Sequence, residues 1–384
     1  MYRKNSSLKF KSIFYGRAKI ITIISIVLII SISYGLFFYF QGITESNIKN
    51  NLFEQDRDRQ IEATRTLSQH IGSDLSLVEA RLESLSNSIY LQQGDLTSNK
   101  TKTLIQTNFL KIDNIVDHLF VVNKNNIITI DITPKGVKTY VGSNVSHREY
   151  VIQAKKMLMP VFSTIFMGLD GNYRIGIIYP IINVETGQYL GIVGSVIPTE
   201  SFFAHYGNIY DINSRFLVVF DRNGIMLANG ASKTLVGKNF FGDFTQNFIN
   251  HNSRLNNLTR SLLAGNSGYA VYDYGRGERI TTQYPIQVNG NPIYYVQIVQ
   301  PTTQIYSKLN DILFSQRIET FSLLAGATVA IVLLIVFLSK WSSLLGREVQ
   351  RRTRELELSN EEIRLHLNLV QKEIDRFKSD AQRK

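Results

Sequence analysis

Residues 173–197 read YRIGIIYPIINVETGQYLGIVGSVI. Two runs rich in isoleucine and valine, 173–182 and 189–197, flank the turn residues Glu185-Thr186-Gly187, and this pattern predicts a pair of antiparallel strands. Upstream, VFSTIFM (161–167) reads as a third strand, separated from the pair by the turn at Asp170-Gly171. Further upstream, HLFVVNKNNIITIDI (118–132) reads as two strands joined by the polar stretch Asn123–Asn126. Between these groups lies Ser146-His147-Arg148-Glu149. Serine followed three residues later by glutamate is the pattern of a capping box, so a helix is expected to begin near Ser146, run through YVIQAKKM and stop before Pro160. The result is a five-stranded antiparallel α+β module with one inserted helix.

The same plan recurs downstream. FLVVFDRNGIMLANG (216–230) is a hairpin with its turn at Asp221-Arg222-Asn223-Gly224. Residues 235–264 read as loop and short helices, and YAVYDY (269–274), RITTQYPIQ (279–287) and IYYVQIVQ (293–300) as strands. Upstream of both modules, residues 43–93 contain no proline and only Gly72. Leu67, Ile71, Leu75, Val78, Leu82, Leu85 and Ile89 mark one face of a long helix, which must pack on a domain or on a second copy of itself.

Two uncharged runs bracket this region: IITIISIVLIISISYGLFFYF (20–40) and TFSLLAGATVAIVLLIVFLS (320–339). At about 1.5 Å per residue each reaches roughly 30 Å, the thickness of a bilayer's hydrocarbon. The first is too long for a signal-peptide core and has no small-x-small cleavage site behind it, and Tyr34, Phe37, Phe38, Tyr39 and Phe40 fit an interfacial aromatic belt. The net charge of +11 is concentrated outside these runs. Residues 1–19 hold six basic residues and no acid, residues 340–384 hold eleven basic and eight acidic residues, and the middle is nearly neutral. This distribution places both termini in the cytoplasm and residues 41–319 outside it, and does not describe a nucleic-acid surface. With no cysteine in the chain, disulfides, thiolate metal sites and cysteine nucleophiles are excluded.

Over roughly 43–312 the sequence resembles the double Cache sensor family, the extracytoplasmic domains of chemoreceptors and sensor kinases. The resemblance rests on the leading helix, LFVVNKNNIITI, SHREYVIQA, IGIIYPIINVETGQYLGIVGSVI, and FLVVFDRNGIMLANG with LVGKNFF behind it. It implies a helical spine carrying two PAS-like modules, with small ligands bound in the module farther from the membrane. The expected layout is a basic N-terminus (1–19), a first span (20–40), the spine (41–93), a membrane-distal module (94–212), a membrane-proximal module (213–312), a second span (320–339) and a cytoplasmic helix (341–384). Family members that bind amino acids use Arg-x-Trp-Tyr at the start of the inserted helix for the ligand carboxylate, and an aspartate at the end of the last strand for its amine. The matching residues are Arg148, Tyr150 and Val151, and the aspartate position falls on Val196. A buried ammonium facing a valine would lack a counter-charge. Ordinary amino acids are therefore not the expected ligand, whereas a small organic anion can be held by Arg148.

The candidate ligand-binding residues are Arg148, Tyr150, Met167, Tyr173 and Tyr179, the last three on strands expected to wall the pocket. Arg174 reads as a surface charge, and Ser146 and Glu149 as the helix cap. The six histidines show no metal-ligand spacing, the aspartate-glycine turns lack the remaining ligands of a calcium loop, and no catalytic constellation occurs, so neither metal, cofactor nor enzymatic activity is expected. Asn99, Asn144 and Asn257 begin glycosylation tripeptides.

Residues 341–384 read as one helix with an apolar stripe through Leu345, Val349, Leu356 and Ile363, then Leu367, Val370, Ile374, Phe377 and Ala381. The step from Ile363 to Leu367 breaks heptad phase, and Arg352 and Ser359 weaken the first half, features of a dimeric coiled coil able to switch. REVQRRTRELELSNEEIR resembles the linker helix ahead of the dimerisation domain in membrane histidine kinases, but His366 lacks a phosphoacceptor box. The expected partners are thus a small molecule outside, the lipid bilayer, a second copy of the chain and a cytoplasmic signalling protein. The alternatives are the sensor part of a truncated or degenerate kinase, and a membrane-tethered binding or scaffold protein that does not signal.

Overall fold

Apolar residues every third or fourth position, with no proline to interrupt them, make one helix of the N-terminal region. The computed structural model describes residues 4–209 and 215–381, with side chains for 24–207, 215–307 and 310–376. Arg3, the expected module boundary at 212/213 and the side chains of Phe377 and Ala381 lie outside the described residues. The first helix, α1 (Lys4–Ser86), has 83 residues and merges the expected first span and the spine. Leu67, Ile71, Leu75, Val78, Leu82 and Leu85 are all buried in the main core, so the stripe packs on its own domain. Ile89 does not continue it and is 66% exposed. The helix stops at Ser86, whose hydroxyl bonds back to the Glu83 carbonyl, and α2 (Ile89–Gln92) restarts in a new phase with Leu91 inward. Next comes α3 (Asn99–Phe109), capped by Ser98, whose side chain accepts the Thr101 N–H.

The first sheet contains β1 (His118–Asn123), β2 (Ile128–Ile132), β3 (Val161–Phe162), β4 (Phe166–Met167), β5 (Tyr173–Ile182) and β6 (Tyr189–Pro198). Its order is β2-β1-β6-β5-β3, antiparallel throughout, with β4 also on β5. The run 161–167, expected as one strand, is thus two short pieces. At the break the Ser163 hydroxyl accepts the Gly176 N–H at 2.7 Å, taking over from the ladder. The helix α4 (Glu149–Met157) crosses one face of the sheet. It ends where Leu158 adopts a left-handed conformation, two residues before Pro160. The expected capping box does not form. The Ser146 N–H is taken by the Asn144 side chain at 2.8 Å, Ser146 belongs to that turn, and the helix starts at Glu149 with Arg148 as its cap residue and no side-chain capping bond.

After α5 (Thr199–Ile209) the second sheet follows: β7 (Phe216–Asp221), β8 (Met226–Asn229), β9 (Gly268–Tyr272), β10 (Arg279–Val288) and β11 (Asn291–Pro301), in the order β8-β7-β11-β10-β9. A 3-10 turn at Lys233–Leu235 and the helices α6 (Asp243–Phe248) and α7 (Ser253–Leu263) fill the insert. Strand 11 runs directly into α8 (Thr302–Ala381). From Asn310 this helix forms a second unit.

The two sheets meet α1 differently. The first contributes Leu119, Val121, Ile175, Ile177, Val193 and Ile197 to the core that also holds the apolar stripe. The second sheet adds Val219, Ile286, Val296 and Ile298 to the same core, and its meeting with α1 also includes polar contacts that hydrophobic periodicity cannot reveal. Gln60 donates to the Ile298 carbonyl at 3.0 Å, Thr64 and Thr282 share a hydroxyl bond of 2.6 Å, and Ser68 donates to the Pro285 carbonyl at 3.1 Å. Gly72 faces the Gln287 carbonyl of β10, where an added Cβ would lie 2.4 Å from that oxygen.

Each of α1 and α8 contains a window of 18 residues with few charges, of mean hydropathy 1.9 and 2.8 respectively, and each is long and apolar enough to cross a membrane.

Candidate functional site

Strand parity decides which side chains reach the inserted helix. On β5, Ile175, Ile177 and Tyr179 face the α1 side, so Arg174, Gly176 and Ile178 face α4. On β6 the α4 side carries Ile192, Gly194 and Val196, and on β1 His118, Phe120 and Val122. Glycine at 194 lets Phe120 lie flat across the sheet, since a Cβ there would come within 2.7 Å of the Phe120 ring.

A cavity of about 70 Å³ opens between this face, the start of α4 and the segment 166–169. Arg148 and Tyr150 line it, together with His118, Asp131, Tyr140, Phe166, Arg174 and Val196. Arg148 donates to the Met167 carbonyl at 2.9 Å, and its guanidinium lies 5.2 Å from the Phe166 ring centre. Among the described residues it has no carboxylate partner. The Tyr150 ring packs 5.1 Å from Phe166, and burial pushes its hydroxyl pKa up to about 12, so it stays a neutral donor and acceptor.

Three of the five candidate residues do not line this cavity. Met167 is exposed, and its carbonyl rather than its side chain meets Arg148. Tyr173 sits against Gly237 of the second module. Tyr179 packs on the core shared with α1, where burial and then the neighbouring Glu83 and Glu79 raise its pKa to about 12. Both tyrosines carry odd numbers on β5 and so share the parity of Ile175 and Ile177.

Arg174, expected at the surface, is 5% exposed. It donates through Nε and Nη2 to Asp117, at 2.9 and 2.7 Å, and pairs with Asp170 on the turn before β5. That paired guanidinium holds the Asp170 carboxyl well below the usual carboxylate range, and the two carboxylates outweigh desolvation to keep Arg174 charged. Sequence reasoning also missed a buried pair. His118 Nδ1 lies 3.0 Å from Asp131, whose Oδ2 also accepts the Tyr140 N–H at 2.7 Å. The signal was available in principle: a histidine opening β1 and an aspartate inside β2 lie diagonally across the hairpin, Asp131 opposite Phe120. No group of three potential metal-binding side chains exists among the described residues.

A second, smaller cavity of about 40 Å³ lies in the second module, walled mainly by Phe216, Phe220, Phe240, Tyr272 and Tyr274.

This arrangement of paired sheets on one spine has known counterparts. Residues 73–198 match the model of the HK/GC/chemotaxis protein-like sensor domain, and the fold is that of double Cache sensor domains. The chain is similar to the periplasmic sensory domain of the Campylobacter jejuni chemoreceptor Tlp1, with TM-score 0.53 and 14% identity, over 66% of this chain and 98% of that one. It is similar to an extracellular ligand-binding receptor from Desulfohalobium retbaense, with TM-score 0.52 and 16% identity, over 63% of this chain but only 40% of that one. It also resembles the ligand-binding domain of the Pseudomonas aeruginosa amino acid chemoreceptor PctB in complex with L-Arg, with TM-score 0.50 and 14% identity, over 67% of this chain and 92% of that one. No curated protein matches the sequence. Residues 73–198 are therefore similar to sensor domains of the chemoreceptor and histidine kinase type, in a chain whose first and last long helices are each able to span a membrane.

Proposed function

We propose that this protein is a transmembrane receptor that binds a small organic anion in the Arg148 cavity and passes the event along α8 to a cytoplasmic partner. The observation that carries the reading is Arg148 itself. It stands at the mouth of a cavity with a neutral carbonyl as its hydrogen-bond partner, so its charge is available to a carboxylate. An amino acid fits less well. Val196 lines the wall, Asp131 is engaged by His118 and the Tyr140 N–H, and Arg174 occupies Asp117 and Asp170, which leaves a ligand ammonium without a free counter-charge. A volume of about 70 Å³ corresponds to roughly five water-sized positions, the scale of a short-chain carboxylate.

A route for the signal is built from the same wall. Phe166 and the Met167 carbonyl touch the cavity or Arg148, and three residues before Phe166 the Ser163 carbonyl accepts the Tyr294 hydroxyl at 2.8 Å. Tyr294 belongs to β11, whose last residue adjoins α8. Ligand contact with the 163–167 segment is thereby transmitted to the strand that feeds the second span, and a shift of that helix repacks a coiled coil formed by residues 341–384 of two copies. The positive flanks beside both apolar runs support a cytoplasmic side for the two termini.

The test is a thermal-shift screen of the full chain in detergent micelles with acetate, propanoate, lactate, and representative amino acids and amines. Stabilisation by carboxylates that Arg148→Ala abolishes supports the reading. Stabilisation by amino acids alone, or a hit unaffected by Arg148→Ala, refutes it.

A further inference from the structure

Of the side chains lining the Arg148 cavity, His118 supplies a buried polar atom with no partner among the described residues, its Nε2. The ring is 3% exposed and held from three sides. Nδ1 lies 3.0 and 3.2 Å from the two oxygens of Asp131, the Tyr140 ring stacks on it at 5.3 Å, and Val196 is its partner across the β1–β6 ladder. An ionised carboxylate at Nδ1 fixes the proton there. Nε2 then has two states: a bare lone pair, or a second N–H donor.

The surrounding charges select between them once an anion enters. The groups around the ring are Asp131 from β2, Tyr140 from the loop after it, His147, Arg148 and Tyr150 at the start of α4, and Arg174 from β5 with its partners Asp117 and Asp170. Val196 of β6 brings no charge. The two arginines stand against three aspartates, so with neutral imidazoles the formal sum is −1. A monocarboxylate would lower it to −2 in a half-enclosed site, and a lone pair on Nε2 would repel the carboxylate. A proton on Nε2 restores the sum and converts the repelling atom into a charge-assisted donor.

We infer that His118 is a ligand-binding residue and that the cavity takes up a small monocarboxylate together with one proton, the carboxylate bridging Arg148 and His118 Nε2–H. The proton comes from the solvent and resides on Nε2 in the complex, so the receptor responds to the product of anion and proton concentrations. This rests on the anion reading above and names its ligand class: monocarboxylates of about four to six non-hydrogen atoms, with no ammonium.

Isothermal titration calorimetry of the full chain in micelles with propanoate, repeated in PIPES and in Bis-Tris, counts protons directly and needs no variant. The expected result is net proton uptake of up to one per propanoate bound, with affinity falling as pH rises by about ten-fold per pH unit at most, the slope that one linked proton allows. His118→Gln is expected to bring the proton count to zero and flatten the pH profile. Binding that requires Arg148 but takes up no proton overturns the role of His118 and leaves the anion reading standing. Proton uptake that persists in His118→Gln also overturns it. No binding of acetate, propanoate or lactate at any pH overturns both.

Discussion

Tyr294→Phe tests the link between the cavity wall and the second sheet with the loss of one atom. Tyr294 is 1% exposed, and its hydroxyl donates to the Ser163 carbonyl at 2.8 Å. Phenylalanine fills the same space, so no cavity is created, but the buried carbonyl loses its acceptor role. An unsatisfied buried polar group costs about 1–3 kcal/mol. For a folded region of this size, about 2–3 °C of melting temperature is lost per kcal/mol, which gives a fall of roughly 2–9 °C. Differential scanning calorimetry of the full chain in micelles measures it. Hydrogen exchange localises it: the amides of Phe166 and Met167 are expected to exchange faster, because the 163–165 break between the two short strands is held by this bond and by the Ser163–Gly176 bond. The signalling arm uses the absence of native cysteine. Under the proposed dimeric coil, Leu345→Cys is expected to form a disulfide between copies to a ligand-dependent extent, and that dependence is expected to vanish in the Tyr294→Phe background. A melting temperature within one degree of the parent, with the ligand-dependent crosslinking intact, would refute the reasoning.

Two further outcomes concern stability alone. Gly72→Ala places a Cβ 2.4 Å from the backbone oxygen of Gln287; since neither helix nor strand can yield cheaply, a loss of about 1–3 kcal/mol is expected in denaturant melts despite alanine's better helix propensity. Asp221 carries a carboxyl that burial pushes upward, while its Oδ1 accepts the N–H groups of Asn223 and Ile225 at 2.8 and 2.9 Å. Its folded pKa is raised, so its contribution is present below the unfolded value of about 4 and is lost as pH rises through the folded one. Asp221→Asn keeps the acceptor and cannot ionise; it is expected to melt higher than the parent at pH 7 and alike near pH 3, and the same difference at both pH values would contradict the assignment.

Much of this architecture is legible in the chain itself. Two uncharged runs of membrane-spanning length, the three-and-four spacing from Leu67 to Leu85, and the repeated order of hairpin, helical insert and three strands follow from local chemistry. Strand alternation, helix periodicity and glycine-bearing turns are properties of neighbouring residues, and a sequence displays neighbours. Arg148 and Tyr150 are legible only through the family resemblance, since the capping box expected at Ser146 does not form and the helix begins at Glu149.

What the tertiary structure alone decided is which face of each strand meets the spine. Alternation divides β5 into two sets but does not name the inner one. Once the leucine stripe of α1 claims Ile175 and Ile177, Tyr173 and Tyr179 go with them, and Arg174 turns into the cavity wall, where Asp117 and Asp170, 57 and 4 residues away, neutralise it. The pairing of His118 with Asp131, the capture of the Ser146 amide by Asn144 and the long reach from Tyr294 to Ser163, 131 residues apart, are hydrogen bonds chosen by which groups the fold buries together. Burial makes an unpaired polar group costly, so most such groups find a partner and the exceptions, such as His118 Nε2, stand out. The partner's identity depends on packing that no local pattern encodes.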